Sequence, residues 1–111
     1  MLYILFIMKR IEFKLCPKVE AAFELIAKKW TGLILLSLNQ SEMRFSEIEE
    51  AIPGLSSRLL SLRLRELEES GLVARRVWTD AAPISVTYSL TMKGMSLSLI
   101  LLKISEWATK S

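Results

Sequence analysis

The chain has 111 residues, of which 51% are hydrophobic, and its formal net charge is +3. This length accommodates one domain with its own core and is too short for two. One cysteine, Cys16, and the absence of histidine exclude an internal disulfide, histidine-based catalytic sites and zinc sites with a histidine ligand. With no glycine-rich phosphate loop, the composition argues against an enzyme and predicts neither a cofactor nor a metal.

The compartment and the partners follow from the same composition. A single thiol fits a reducing, cytoplasmic setting. The apolar content is higher than a small monomer needs, which indicates that some apolar surface packs against a partner subunit. The positive charge suits an anionic partner, although an ordinary basic protein would have the same charge.

Residues 1–15 are expected to form an N-terminal arm ahead of a domain that spans residues 16–111. The arm begins MLYILFIM, which is too short to span a bilayer and lacks the basic segment and cleavage site of a signal peptide. Met8, followed by Lys9 and Arg10, would also make a natural start of the chain.

The first half of the domain predicts three helices. The first begins at Cys16–Pro17 and ends with Lys28 and Lys29 in its last turn. The second opens at Trp30–Thr31 and is apolar on nearly every side, which places it at the centre of the domain. After a polar turn over residues 39–42, a short third helix runs from residue 45 or 46 to residue 51. Its capping box is expected to pair Ser46 with Glu49.

The second half predicts a fourth helix, a hairpin and a last helix. The fourth helix starts at Ser56 or Ser57 and runs to about residue 70, with Gly71 as a left-handed C-cap. Residues 72–78 and 85–90 predict antiparallel strands joined by a polar tip over residues 79–83. Thr91 caps a helix from about residue 92 to residue 109. The fold class is therefore mainly α with a small antiparallel β-hairpin: a winged helix-turn-helix with terminal dimerisation helices.

The fourth helix separates two faces. Leu60, Leu64 and Leu67 lie on one side, and Arg58, Ser61, Leu62 and Arg65 lie on the other. The leucines must pack on the second and third helices, so the arginines point outward, where they can bind guanine or phosphate. Arg75 and Arg76 are consecutive in a strand, so their side chains point to opposite faces of the hairpin. At most one of them can face DNA unless the strand twists. The predicted DNA-binding residues are Arg44, Ser56, Ser57, Arg58, Ser61, Arg65, Arg75 and Arg76.

Other interpretations of this helix remain open. A solvated amphipathic helix with ordinary surface charges has the same pattern, and Glu66, Glu68 and Glu69 favour it because carboxylates repel phosphate. These glutamates lie in the C-terminal half, whereas recognition helices insert their N-terminal half. Leu62 is either a contact to a thymine methyl or a tolerated exposed leucine. Arg63, nearer the core side, is expected to be a structural or phosphate-bridging residue.

Three stretches of the chain resemble the HxlR-type family of bacterial winged-helix regulators. They are CPKVEAAFELIAKKWTGLILLSL, RFSEIEEAIPGLSSRLLSLRLRELEESGLVAR and VTYSLTMKG. The likeness covers about residues 16–107 and implies a homodimer that binds double-stranded DNA at a pseudo-palindromic operator and controls nearby genes. The chain departs from the family near Ser85 and Thr87, where members often carry a basic residue and a glutamate, and at Leu62, where a polar residue is common.

Cys16 has two interpretations. Several members of the family that the chain resembles sense oxidants or electrophiles through a cysteine at this position. Its place at a helix N-terminus, with Lys14 and Lys18 nearby, favours the reactive thiolate. The alternative is a small thiol packed between subunits. Because each chain has one cysteine, any disulfide must join two subunits or a small thiol.

The last helix carries apolar residues around its whole circumference, so one side needs a second surface. We expect a homodimer whose interface is formed by this helix together with the first helix. A membrane-associated helix is disfavoured because its polar face lacks dense lysine and arginine. Together these features predict a dimeric DNA-binding regulator responsive to redox state or electrophiles. The alternatives are a winged-helix protein-interaction module and a regulator that senses a small molecule without thiol chemistry. The predicted dimerisation residues are Leu97, Ile100, Leu101, Ile104 and Trp107.

Overall fold

A computed structural model describes residues 16–80 and 82–110 of the chain. The predicted N-terminal arm, residues 1–15 with Lys14, lies outside the described residues. Five helices and three strands are present within the described part. They are α1 (Pro17–Ala27), α2 (Thr31–Gln40), β1 (Met43–Arg44), α3 (Phe45–Ala51), α4 (Ser57–Glu69), β2 (Val73–Trp78), β3 (Ser85–Leu90) and α5 (Met92–Lys110).

The sheet has one strand more than the predicted hairpin. Its order is β1–β3–β2 with both pairings antiparallel, so β3 is the central strand. Met43 pairs with Tyr88 and Arg44 pairs with Thr87. A strand of two residues has no measurable alternation of its own, so the sequence does not predict it. It ties the start of the helix-turn-helix to the wing.

The core forms where the predicted apolar faces meet. Leu60, Leu64 and Leu67 of α4 are at most 1% exposed, which confirms the predicted buried stripe. They lie in one cluster with Ile34 and Leu35 of α2, and with Ile48, Leu72, Val73 and Leu101. The helix α2 is thus central, as predicted, although its Leu33 remains exposed.

The ends of α4 follow their capping signals. The Ser56 hydroxyl accepts a hydrogen bond from the Leu59 N–H at 3.1 Å and closes the first turn. At the other end Gly71 has φ +75°, and the Leu72 N–H donates to the Leu67 carbonyl at 2.9 Å. This is the Schellman arrangement, and it confirms Gly71 as the left-handed C-cap.

The start of α5 is fixed against the end of α4. The Thr91 hydroxyl accepts from the Gly94 N–H at 3.0 Å, which confirms Thr91 as the cap of this helix. The same hydroxyl donates to the Gly71 carbonyl at 2.6 Å. The Thr91 N–H donates to the Leu72 carbonyl at 3.1 Å. The end of α4 and the start of α5 therefore meet in one hydrogen-bonded junction.

The prediction of the α3 capping box was wrong. The helix begins at Phe45 with Arg44 as its N-cap, and the Arg44 N–H donates to the Glu47 carboxylate at 2.7 Å. Ser46 is already inside the first turn, because β1 holds the backbone extended up to Arg44 and the helix starts directly after it.

The boundary between α1 and α2 also differs from the prediction. Lys28 lies just past the end of α1, as its C-cap, rather than in its last turn. Trp30 adopts left-handed backbone geometry, with φ 81°, so α2 starts at Thr31. Across the described residues, no helix is long and apolar enough to cross a membrane.

Candidate nucleic-acid interface

The outward face of α4 carries the polar residues that the sequence predicted. Arg58, Ser61 and Arg65 are exposed, on the side of the helix opposite to the buried leucines. Leu62 lies among them and is 45% exposed. Among the described residues, neither Arg58 nor Arg65 forms an ion pair. Their guanidinium groups can therefore bind an anion without first breaking an internal contact.

The two serines at the start of α4 hold the helix-turn-helix together. Ser56 is engaged as the N-cap. The Ser57 hydroxyl donates a hydrogen bond to the Glu49 carboxylate on α3. Both side chains thus fix the angle at which α4 leaves the turn, and the polar side chains on the outer face of the helix are Arg58, Ser61 and Arg65.

A charged cluster anchors the buried side of α4 to the junction between α1 and α2. Arg63 donates through Nε to the Lys29 carbonyl at 2.9 Å and through Nη1 to Glu66 Oε1 at 3.1 Å. Lys28 Nζ lies 2.7 Å from Glu66 Oε2. The hydrogen bond from Lys28, reinforced by Arg63, holds the pKa of Glu66 below its ordinary value of 4.5 against the opposing effect of burial. Arg63 is therefore a structural residue, one of the two roles predicted for it.

The sheet separates the two wing arginines. Arg76 pairs across the sheet with Thr87, which pairs in turn with Arg44, so these three side chains share one face. Arg75 pairs with Tyr88, which packs against the core, and so belongs to the opposite face. All three arginines are exposed. Arg44 and Arg76, far apart in sequence, are brought onto the same surface.

An aromatic contact on this face was not predicted. The guanidinium carbon of Arg76 lies 3.8 Å from the centroid of the Trp78 ring. Trp78 Nε1 donates to Thr87 Oγ1 at 2.9 Å, and the Thr87 hydroxyl donates to Glu42 Oε2 at 2.9 Å. The period of two along β2 could have placed Trp78 beside Arg76, but nothing in the sequence identifies Glu42 as the end of this chain of hydrogen bonds.

Cys16 is the N-cap residue of α1. Its carbonyl accepts hydrogen bonds from the Val19 and Glu20 N–H groups, both at 3.1 Å. Its side chain makes no capping hydrogen bond and is half-buried. Lys18 is exposed in the first turn of the same helix. Within residues 16–80 and 82–110, no group of three or more cysteine, aspartate or glutamate side chains could hold a metal ion.

The last helix divides its apolar residues between the core and the surface. Leu101 is 6% exposed and belongs to the core of its own protomer, which removes it from the predicted dimerisation surface. Ile100, Ile104 and Trp107 are more than half exposed, and Leu97 packs at the edge of the core. Beside them, α1 and α5 enclose an apolar groove lined mainly by Ala22, Leu25, Ile26, Leu97 and Ile100.

Comparison with known proteins places this geometry in a family. The sequence model described as HxlR-like helix-turn-helix matches residues 25–111. The HTH-type transcriptional regulator YvaP of Bacillus subtilis, described as uncharacterized, is 47% identical over 97 residues, which are 87% of this chain and 89% of YvaP. The HTH-type transcriptional regulator YodB of the same organism is 43% identical over 94 residues, which are 85% of this chain and 83% of YodB.

Solved structures agree with these sequence matches. The reduced form of YodB superimposes with a TM-score of 0.77 and 42% identity, covering 85% of this chain and 91% of that chain. YodB has also been solved after diamide treatment and with quinone bound. The redox regulator HypR in its oxidized form superimposes with a TM-score of 0.79 and 38% identity, covering 86% of this chain and 97% of that chain. The chain belongs to the HxlR-like family of helix-turn-helix transcriptional regulators.

Proposed function

We propose that the chain is a cytoplasmic homodimer that binds a pseudo-palindromic operator in double-stranded DNA and is controlled through Cys16. The observation that carries DNA binding is the outer face of α4, where Arg58, Ser61 and Arg65 stand exposed. Arg58 and Ser61 lie in the N-terminal half of the helix, the half that recognition helices insert into the major groove. Arginine can donate two parallel hydrogen bonds to guanine there.

Binding can be tested with a duplex selected from a random pool by the parent protein. We expect Arg58→Ala to weaken binding to the selected duplex by about 1–3 kcal/mol and to relax the preference at one base position. Lys110→Ala is the matched control, because it removes one exposed positive charge at the C-terminal end of α5, outside the outer face of α4 and beyond the predicted dimerisation residues. If no duplex is enriched, the domain does not bind DNA specifically and would act as a protein-interaction module. If a duplex is enriched but Arg58→Ala binds it like the parent, Arg58 does not read DNA.

The proposed dimer rests on the distribution of exposed apolar side chains. Of the eleven large hydrophobic residues exposed on the described part of the chain, six lie on α5 and one, Phe23, lies on α1. An apolar surface of this kind is stabilised when a second copy covers it. Light scattering should give twice the chain mass of 12.7 kDa. In such a dimer the two α4 helices would face half-sites about 34 Å apart, one turn of duplex. A footprint without a dyad would contradict this arrangement.

The proposed control through Cys16 rests on its place at the start of α1 and on the contacts at the other end of that helix. The Lys28–Glu66 ion pair and the hydrogen bond from Arg63 to Lys29 join the end of α1 to α4. A change in the position of α1 therefore acts directly on the recognition helix. One relative, YodB, solved after diamide treatment and with quinone bound, and a second, HypR, described as a redox regulator, support thiol chemistry as the signal.

Two reagents separate the possible thiol reactions. Diamide oxidises two thiols to a disulfide and takes up their two electrons and two protons, so with one cysteine per chain the product joins two subunits or a small thiol. A quinone forms a carbon–sulfur bond with the thiolate. The hydrogen on the attacked ring carbon moves as a proton to one quinone oxygen, the other oxygen takes up a proton from solvent, and the product is a hydroquinone thioether. We expect either reagent to change operator affinity in the parent and to leave Cys16→Ser unaffected. An equal response in both proteins would point to a regulator without thiol chemistry.

A further inference from the structure

The outer face of the sheet carries two arginines on either side of a single threonine. Arg44 on β1 and Arg76 on β2 both pair with Thr87 on the central strand. The two arginines are therefore separated by two strand spacings, about 9–10 Å between backbones. Arginine side chains are long enough to reach one phosphate from both outer strands, farther from the sheet than the Glu42 carboxylate that is hydrogen-bonded to Thr87. Neither arginine forms an ion pair with any other described residue.

The Trp78 ring is fixed beneath one of these arginines. Its indole N–H is hydrogen-bonded to the Thr87 hydroxyl, which in turn is hydrogen-bonded to Glu42. The Thr87 hydroxyl thus uses its lone pair and its proton at once, and the ring has one preferred orientation. The guanidinium of Arg76 lies over that ring at 3.8 Å. Such a contact holds the guanidinium by cation–π attraction and leaves its N–H groups at the edge for other partners.

We propose that Trp78 is a positioning residue that presents Arg76, together with Arg44, to a backbone phosphate of duplex DNA. This inference rests on the proposed function and names the part of the sheet that serves it. A guanidinium that is already held in place loses less conformational entropy when it binds an anion, so the contact strengthens binding without reading sequence. Arg75, on the opposite face beside Tyr88, has no part in this site.

A double-mutant cycle on Trp78 and Arg76 tests the proposal, with affinities for the selected duplex measured over a range of salt concentrations. We expect Trp78→Ala to weaken binding to all duplexes about two- to fivefold at low salt, the value of one exposed cation–π contact. In the Arg76→Ala background the same change should have no effect. Arg76→Ala itself should lower the slope of log affinity against log salt by about one, whereas Arg75→Ala should leave the slope unchanged.

The outcomes distinguish this inference from the proposed function. If Trp78→Ala weakens binding equally with and without Arg76, the tryptophan acts only through the fold and the inference is wrong. If Arg76→Ala keeps the full salt slope while Arg58→Ala still weakens specific binding, DNA recognition stands and the phosphate site does not. If the parent enriches no duplex, the proposed function itself fails. Thr87→Val gives a second measurement, because it removes the hydroxyl that orients the ring and should reproduce the effect of Trp78→Ala.

Discussion

Gly94 in the first turn of α5 packs directly against the backbone of Leu72, the residue before β2. A Cβ atom added at Gly94 would lie 2.0 Å from the Leu72 carbonyl oxygen, 2.9 Å from its carbon and 3.2 Å from a methyl of Leu90. Ordinary contacts begin at 3.4 Å, so the helix would have to move about 1.4 Å away from Leu72. Two of the three nearest atoms are backbone, which a change of rotamer cannot relieve. We therefore expect Gly94→Ala to destabilise the protein.

The magnitude follows from the contacts that this movement would break. Overpacking a close contact costs about 1–3 kcal/mol. The Thr91 N–H donates to the same Leu72 carbonyl, and the Thr91 hydroxyl donates to Gly71, so separating α5 from Leu72 strains both hydrogen bonds. Each is worth about 0.5–1.5 kcal/mol, which gives a total loss of about 2–6 kcal/mol. The better helix propensity of alanine offsets up to about 1 kcal/mol of this loss of stability.

Gly32 provides the matched control. It also lies in the first turn of a helix, α2, and a Cβ added there meets no atom within 4 Å. Gly32→Ala should therefore be neutral or stabilising by up to about 1 kcal/mol. The free energies of unfolding of both variants and the parent can be measured by urea denaturation at one protein concentration, because a dimer's apparent stability depends on concentration. If the two variants differ by less than 1 kcal/mol, the contact between Gly94 and Leu72 is not as close as described.

Three further predictions concern other parts of the molecule. Ile100→Asp should lower the dimer fraction in light scattering while the circular dichroism spectrum stays native, whereas Leu101→Asp should unfold the protomer because it places a charge in the core. Glu66→Gln should lower the free energy of unfolding by about 0.2–1 kcal/mol at pH 7. Because the folded state lowers the pKa of Glu66, this difference should be present above pH 4.5 and should vanish as the pH falls through the lowered value; a difference that persists at pH 2 would exclude the pairing with Lys28. Benzoquinone should add one equivalent per chain to the parent by intact-mass measurement and none to Cys16→Ser.

The helices and the two long strands could be predicted from the sequence because their signals are local. The leucine stripe of α4 repeats at helical spacing, and Ser56, Gly71 and Thr91 are capping residues at the helix ends where the structure places them. The strand β1 could not be predicted, because two residues carry no periodicity and its pairing with β3 spans more than forty residues. That long-range pairing also makes Arg44 rather than Ser46 the N-cap of α3, since the cap of a helix depends on where the preceding strand ends.

Of the candidate site, only the outer face of α4 could be predicted, because helical periodicity alone places its residues together. Arg58, Ser61 and Arg65 share a face because of the period of 3.6, and the buried leucines fix which way that face points. The contacts between site residues that lie far apart in the sequence could not be predicted. Arg44 meets Thr87 only through the sheet register, and Trp78 reaches Glu42 only through that threonine.

The contacts of α4 are those that the proposed function requires of a helix that reads DNA and also responds to the rest of the molecule. Its start is tied to α3 through Ser57 and Glu49, and its buried side is tied to the end of α1 through Glu66 and Lys28. Its end is tied to α5 through the Gly71 carbonyl. These contacts fix the helix from the side that faces the protein and leave its outer face clear. In the proposed dimer, held by α1 and α5, these short polar contacts would set the distance between the two α4 helices, so a small movement of either terminal helix would change how well both fit the proposed operator.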